Sequence, residues 1–278
     1  MPTAPAMQAS RFELKYVIDE RRAGGIRDFV RGYLEPDEYA DPAKGNSYRI
    51  SSLYMDSPKL ALYNQTVAGE KNRFKLRIRF YDNDPTHPAF LEIKRRVTDV
   101  ILKERAAVTR EGVLKLLAGC PLDASWLAKK NGDAKAGKAL LNFRSLCDSI
   151  SAVGVIYVSY QREAYVTREN NSIRVTFDRQ LLAGPYVQGT GLSWPTDGAR
   201  PEIGNGDRVI LEVKFTDRFP AWMHDMAQAF DLQRRSAPKY VYCIDTMGIR
   251  PGHSFPTGRP AYSRSAFDDL TGAQPAGL

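Results

Sequence analysis

The sequence has few of the residues on which cysteine and histidine chemistry depends. Its 278 residues contain three cysteines and three histidines, all far apart. An odd number of scattered cysteines argues against a disulfide framework, and isolated histidines argue against a zinc site. A run of about 18 apolar residues, which a membrane-spanning helix would need, is also missing. The first ten residues lack the pattern of a secretory signal. These absences predict a cytoplasmic protein.

Acidic residues are fewer than basic ones. The chain has 40 Lys and Arg against 32 Asp and Glu, a net charge of +8, with 43% hydrophobic and 26% charged residues. Such a composition is typical of globular proteins. The basic excess indicates an anionic partner, which composition leaves open among nucleic acid, a membrane surface and a phosphate-rich small molecule.

Short strands dominate the predicted secondary structure. Alternation of apolar and polar residues predicts strands over 11–18, 47–56, 73–81, 89–97, 100–108, 153–167, 172–179, 208–216 and 239–244. Helices are predicted over 20–34, from Ser57 onward, in pieces over 109–150 and over 220–230, and a Gly- and Pro-rich loop over 183–206. Eight or nine strands joined mainly by hairpins predict an α+β fold with an antiparallel β-barrel and flanking helices. We expect a disordered N-terminus over 1–9, one domain over 10–248 and a flexible C-terminal tail over 249–278.

Charged residues recur at every second position within these strands. Side chains two residues apart lie on the same face of a strand, so Arg73, Lys75, Arg77 and Arg79 share a face. The simplest explanation of a charged strand face is that it is the solvent-exposed side of a half-buried sheet. However, like charges in a row repel each other unless an anion or interleaved carboxylates neutralise them. The full set holds twelve basic and four acidic residues: Lys15, Arg73, Lys75, Arg77, Arg79, Lys94, Arg96, Lys103, Arg105, Arg162, Arg174 and Lys214, with Glu13, Glu92, Asp178 and Glu212.

Closing the sheet into a barrel would turn these faces toward its bore. Arg binds phosphate oxygens through two N–H groups, Lys supplies point charges, and carboxylates hold hard divalent cations. A bore of this composition therefore predicts binding of a polyanion together with a divalent metal. Nucleic-acid binding is disfavoured, because it would need exposed aromatic residues interleaved with the basic ones.

Eight short motifs follow one another along residues 10 to 245. They are RFELKY at 11–16, SLYMD at 52–56, KLRIR at 75–79, LEIK at 91–94, YQREAY at 160–165, IRVTFD at 173–178, LEVKF at 211–215 and SAPK at 236–239. In this order they resemble the VTC domain, the polyphosphate polymerase domain of the vacuolar transporter chaperone type, in a bacterial form. This domain is part of the CYTH-like, or triphosphate tunnel metalloenzyme, superfamily.

The resemblance implies an eight-stranded antiparallel tunnel that holds the triphosphate of ATP with Mn²⁺ or Mg²⁺. It also implies transfer of the terminal phosphoryl group to a polyphosphate chain. By motif match, the residues acting on the phosphates would be Lys15, Arg77, Arg79, Lys94, Lys103, Arg162 and Arg174. Ser236, Lys239 and Lys214 would also contact the substrate, and Glu212 and Glu92 would hold the metal.

One position departs from the superfamily pattern. The hydrolase and cyclase branches open with Glu-x-Glu-x-Lys, whereas this chain has Arg11 at the first of these positions. The loss of one metal-binding acid favours the polymerase branch. Two alternatives stay open: a metal-dependent triphosphatase, and a non-enzymatic polyphosphate- or nucleotide-binding module that acts with a membrane-protein partner. Such a partner would place the protein peripherally at the inner face of the membrane.

Overall fold

A computed structural model of the protein describes residues 11–98, 100–128, 134–168, 172–201, 203, 208–216 and 219–252. The predicted disordered segment 1–9 and residues 253–278 of the predicted tail lie outside these ranges. The strands are β1 (Arg11–Asp19), β2 (Glu35–Pro36), β3 (Ser47–Asp56), β4 (Arg73–Phe80), β5 (Ala89–Val97), β6 (Val100–Val108), β7 (Val153–Val166), β8 (Ile173–Pro185) and β9 (Arg208–Thr216). The α-helices are α1 (Glu20–Val30), α2 (Ala61–Val67), α3 (Arg110–Leu117), α4 (Ala134–Ser149), α5 (Ala221–Ala229) and α6 (Lys239–Thr246). None of the helices in the described ranges is long and apolar enough to cross a membrane.

Eight antiparallel strands form one strongly curved sheet. Their order is β1-β9-β8-β7-β3-β4-β5-β6, and the short β2 pairs with β7. The curvature brings β1 close to β5, where Lys94 Nζ lies 3.0 Å from Glu13 Oε2. Within the described residues no hydrogen-bonded pairing joins β1 to β6, so the barrel has an open seam. The predicted α+β fold is confirmed, with this seam as the difference from a fully closed barrel.

Helices cover the outer face of the sheet, where the apolar residues of each alternating strand point. Side chains of α1 and α5, including Ile26 and Met223, pack on Leu211 and Val213 of β9. On the other side, Phe143 of α4 packs with residues of β4 to β6. The apolar half of the alternation is therefore buried under helices, and the charged half faces the space inside the curved sheet, which we call the bore.

Helix α6 replaces the strand predicted over 239–244. The β-branched and aromatic run favours a strand, but Tyr240, Val241, Cys243 and Ile244 are buried at the spacing of one helical face. This face packs against inner-face residues of the sheet, among them Tyr54, whose ring stacks on Tyr240 at 4.8 Å. Tertiary packing thus outweighs local propensity, and α6 fills one end of the bore.

Helix α2 begins later than predicted because Asp56, at the end of β3, fixes the residues that precede the helix. Its carboxylate accepts backbone N–H groups from Ser57, Leu62 and Tyr63 at 2.6 to 2.9 Å. These bonds hold residues 57–60 as a turn, so the helix begins at Ala61 instead of Ser57. Strand β8 likewise continues to Pro185, into the predicted loop over 183–206.

Candidate functional site

The sheet register places the predicted charged residues on one face. Two residues that are paired across neighbouring antiparallel strands lie on the same face of the sheet. Pairs of predicted bore residues therefore show that these residues share a face. The pairings Lys15–Glu212, Arg77–Glu92, Lys94–Lys103, Arg162–Asp178 and Arg174–Lys214 all join predicted bore residues.

Asp178 and Glu212 form the centre of a buried ion cluster. Arg162 makes a two-pronged contact with Asp178, with Nε–Oδ1 at 2.6 Å and Nη2–Oδ2 at 2.7 Å. Lys239 reaches in from the first turn of α6, and its Nζ lies 2.7 Å from Asp178 and 2.8 Å from Glu212. Burial alone would raise the pKa of Glu212, but Lys239, Lys15 and further cations hold it well below its usual range. Burial would likewise raise the pKa of Asp178, but Arg162 and Lys239 lower it, so both carboxylates are ionised at neutral pH.

Glu13 extends this cluster toward the seam. Its carboxylate contacts Lys15 and Lys94 at 3.0 Å and Lys214 at 3.8 Å. Lys15 and Lys214 also contact Glu212, at 3.5 and 3.1 Å, so two cations bridge the two acids. We call the whole group the Glu212 cluster; it comprises Glu13, Asp178, Glu212, Lys15, Lys94, Arg162, Lys214 and Lys239.

Glu92 is the single acid of a second group, the Glu92 cluster, on β4 to β6. Its Oε atoms lie 2.7 Å from Arg77, 3.8 Å from Arg79, 2.8 Å from Lys103 and 3.6 Å from Arg105. Burial would raise the pKa of Glu92, but Arg77, Arg79 and Lys103 lower it far below its usual range. One negative charge faces four positive ones here, which leaves a strongly electropositive wall.

Hydroxyl groups of the inner face hold Arg77 and Arg79 of β4. Arg77 Nη1 donates to Tyr54 Oη at 3.2 Å, and Arg79 Nη2 donates to Tyr160 Oη at 3.4 Å. The sequence analysis assigns no role to these tyrosines, although they stand in the motifs SLYMD and YQREAY. Tyr160 precedes Arg162 by two positions, and this spacing predicts that both side chains lie on the same face of the strand.

Arg174 lies apart from both clusters. Its Nη2 is 2.7 Å from Asp37 Oδ2 and 3.1 Å from the hydroxyl of Tyr48, which itself donates to Asp37 at 2.7 Å. Asp37 is a buried acid on the loop after β2. Nothing in the local sequence marked it, because its partner is brought near only by the fold. Arg174 is thus paired with Asp37 at the end of the bore where β3 begins.

Lys75 differs from its neighbours because no acid in the described part of the chain forms an ion pair with it. Burial and the nearby ammonium and guanidinium groups, Lys15 and Lys94 first, lower the pKa of Lys75 to about 7. Burial also outweighs the attraction of Glu13 at Lys94, so that the pKa of Lys94 is about 8. The bore therefore contains more positive charge than its own carboxylates neutralise.

Ser236, a predicted substrate contact, also lies outside both ion clusters. It is exposed on the segment before α6, and its carbonyl accepts a hydrogen bond from Tyr242 at 3.1 Å. Lys239, three residues later, points into the Glu212 cluster.

The two predicted metal ligands lie in different clusters. Glu212 shares cations with Glu13 and Asp178, whereas Glu92 is alone among arginines and lysines. No group of three His, Cys, Asp or Glu within the described ranges is arranged to hold a metal ion. Carboxylate oxygens are suitable ligands for Mg²⁺ or Mn²⁺, and Mg²⁺ is commonly held by one or two carboxylates together with substrate phosphates. The residues fit such a shared site best at Glu212 and Glu13.

Comparison with known proteins agrees with the motif analysis. The sequence profile of the VTC domain matches residues 10–248. A candidate adenylate cyclase of Bacillus halodurans is similar in structure, with 11% identity over 83% of this chain and 94% of that one and a TM-score of 0.47. A candidate adenylyl cyclase of Hippeastrum, described as having a dominant triphosphatase activity, has 14% identity over 85% of this chain and 95% of that one, with a TM-score of 0.46. No curated protein matches the sequence.

Proposed function

The chain belongs to the VTC domain family, and from this premise we propose that it is a polyphosphate polymerase. It binds the triphosphate of ATP and the end of a polyphosphate chain in the bore, and transfers the terminal phosphoryl group from one to the other. Binding of a triphosphate in a tunnel follows from the family together with the charged inner face of the sheet.

The observation that carries the proposal is the uncompensated charge at Lys75. A half-buried ammonium group that is surrounded by cations and lacks an acidic partner is unfavourable without an anion. Its surroundings, Lys15, Lys94, Arg73 and Arg77, are all basic. A chain of phosphates in the bore would neutralise the charge of these residues, whereas a neutral substrate would not.

Phosphoryl transfer in the bore needs little beyond the positive charge of its lining residues. Phosphoryl transfer depends on alignment of donor and acceptor and on neutralising the transferred group. Arg77, Arg79 and Arg162 are fixed by hydroxyls or carboxylates and are therefore preorganised for phosphate oxygens. The end of a polyphosphate chain is already anionic near neutral pH, so the reaction requires no strong general base.

A divalent cation, Mn²⁺ or Mg²⁺, would be held by Glu212 with Glu13 and by phosphate oxygens. Bound there, it would offset negative charge on the phosphates. The ammonium groups of Lys15 and Lys214, which bridge the two acids, would remain available to the phosphate oxygens. Glu92, the second predicted ligand, is already matched by four cations.

A triphosphatase is the second candidate, and the open seam favours it. The side chains of Lys103 and Arg105 at this edge of the sheet are partly exposed, so water can reach the Glu92 cluster. Water in place of the polyphosphate acceptor would release inorganic phosphate.

Incubation of the purified protein with ATP and Mn²⁺ separates these functions. Long phosphate chains together with ADP are the expected products. Free phosphate or tripolyphosphate alone would overturn the polymerase proposal in favour of a triphosphatase. Tight binding of tripolyphosphate without turnover would instead favour a binding module that acts with a membrane partner.

A further inference from the structure

Four aromatic rings gather at the end of the bore where β3 begins and β4 ends. The ring centroid of Tyr39 lies 5.9 Å from that of Tyr48 and 6.5 Å from that of Tyr81, and Tyr81 lies 5.8 Å from Phe90. Tyr48 and Phe90 are on the inner face, because they pair with Arg162 and Arg79. We call Tyr39, Tyr48, Tyr81 and Phe90 the mouth cluster.

The mouth cluster is continuous with the basic wall of the bore. The guanidinium of Arg105 lies 3.6 Å above the ring of Phe90, and its Nη2 donates to the hydroxyl of Tyr81 at 3.3 Å. The Nε of the same arginine is 3.6 Å from Glu92. A ligand with a planar ring and a phosphate tail could therefore contact the aromatic rings and the Glu92 cluster at once.

Tyr39 is exposed and yet held in place. Its side chain is 62% exposed, the largest exposed fraction among the large hydrophobic and aromatic residues in the described ranges. The loop beneath it is fixed by Asp37, which accepts the backbone N–H of Tyr39 at 3.2 Å and the hydroxyl of Tyr48 at 2.7 Å. The planes of Tyr39 and Tyr81 differ by only 10°, so a flat group can lie parallel to both.

We infer that the mouth cluster binds the base of a nucleoside triphosphate, stacked on Tyr39 and Tyr81, while the phosphates enter the bore past Arg105. The inference rests on the proposed function and deepens it, because it assigns a subsite to the base of the nucleotide. Stacking of a base on an aromatic side chain depends little on the identity of the base. The cluster therefore selects for the presence of a base and discriminates weakly among bases.

Removal of the exposed ring tests this directly. Affinities of the full chain for ATP and for inorganic tripolyphosphate, both with Mg²⁺, are measured by calorimetry for the wild type and for Tyr39→Ala. We expect Tyr39→Ala to weaken ATP binding by about 5- to 150-fold, the range for loss of one base–aromatic stack, and to leave tripolyphosphate binding unchanged. Tyr39→Phe keeps the ring and should bind ATP like the wild type.

Tyr33 provides a matched control. It is also an exposed tyrosine, at 52%, and stacks on Trp222 at 4.7 Å, on the outer side of the sheet. Tyr33→Ala should change neither affinity. Equal weakening of ATP and tripolyphosphate by Tyr39→Ala, or no weakening of ATP, would overturn the inference while leaving the bore intact as a triphosphate site. Failure of the wild type to bind either ligand would overturn the proposed function as well.

Discussion

Lys94 on the penultimate strand of the sheet and Glu13 on its first strand form an ion pair beside the open seam. The Nζ of Lys94 on β5 lies 3.0 Å from Oε2 of Glu13 on β1, although these strands share no backbone hydrogen bonds. Two residues that line the bore thus connect β1 to β5 through an ion pair. A phosphate in the bore would compete with Glu13 for Lys94.

Replacement of Arg77 or Lys94 by Ala should abolish most activity without unfolding the protein. Each removes a cation from the bore, while the acid it contacts keeps others: Glu92 retains Lys103 and Glu13 retains Lys15. Loss of a preorganised charge of this kind lowers the rate by about 100-fold or more. Turnover of ATP is the measurement, and Arg144→Ala, which removes an arginine paired with Asp148 on α4, is the control. Normal turnover in either variant would show that the bore assignment is wrong.

Asp178→Asn should destabilise the fold. The variant leaves the buried charges of Arg162 and Lys239 with Glu212 as their remaining acid, at 3.7 and 2.8 Å. Breaking a buried ion pair from one side costs about 3 kcal/mol in the free energy of unfolding. Urea denaturation measures the loss. Glu111→Gln, which breaks the exposed pair with Lys115 on α3, should cost about 0.5 kcal/mol or less. A loss at Asp178 no greater than that control would contradict a central structural role for the pair.

Glu212→Gln should change the dependence on metal. The amide keeps the size of the side chain but has no negative charge for Mn²⁺, so we expect half-maximal activity to require at least about tenfold more metal. Glu92→Gln is the informative comparison, because Glu92 has a similar set of four cations but no neighbouring acid. An unchanged Mn²⁺ titration for Glu212→Gln would remove this residue from the metal site, and a shift in Glu92→Gln alone would move the site to Glu92.

Affinity for tripolyphosphate should fall as the pH rises from 6 to 8. Lys75 has a pKa of about 7 in the free protein, so it is charged below this pH and largely neutral above it. Because an anion binds the charged form, neutralisation weakens binding by up to about tenfold over this interval. Lys75→Arg remains charged throughout. Titration of the ligand affects both proteins equally, so the ratio of the two affinities isolates Lys75; a ratio independent of pH would contradict the assignment.

Much of the fold could be predicted from alternation, because each strand buries one face and leaves the other polar. The same alternation identified the bore residues. A shift of one residue along the strand would have placed Arg77 or Lys94 on the outer face, under the helices. It failed at α6, where Tyr240 to Ile244 have strand propensity but are buried on one helical face against the sheet. Local sequence carries no information about that packing.

The individual partners of the bore residues were beyond prediction. Asp37 contacts Arg174 from 137 residues away, and Tyr39 joins Tyr81 through a loop without a distinctive pattern. Such contacts depend on how far the sheet curves, which no local motif specifies. Ser236 illustrates the converse: it stands in a matching motif, yet its side chain is exposed outside the two ion clusters.

The central claim is that the bore is the phosphate site. A crystal structure of the protein with a non-hydrolysable ATP analogue and Mn²⁺ tests it most directly. We predict that the phosphate oxygens lie within hydrogen-bonding distance of Arg77, Lys75 and Lys94, inside the curved sheet. Phosphates bound on the outer surface, with these three side chains still making only the contacts of the free protein, would contradict the account.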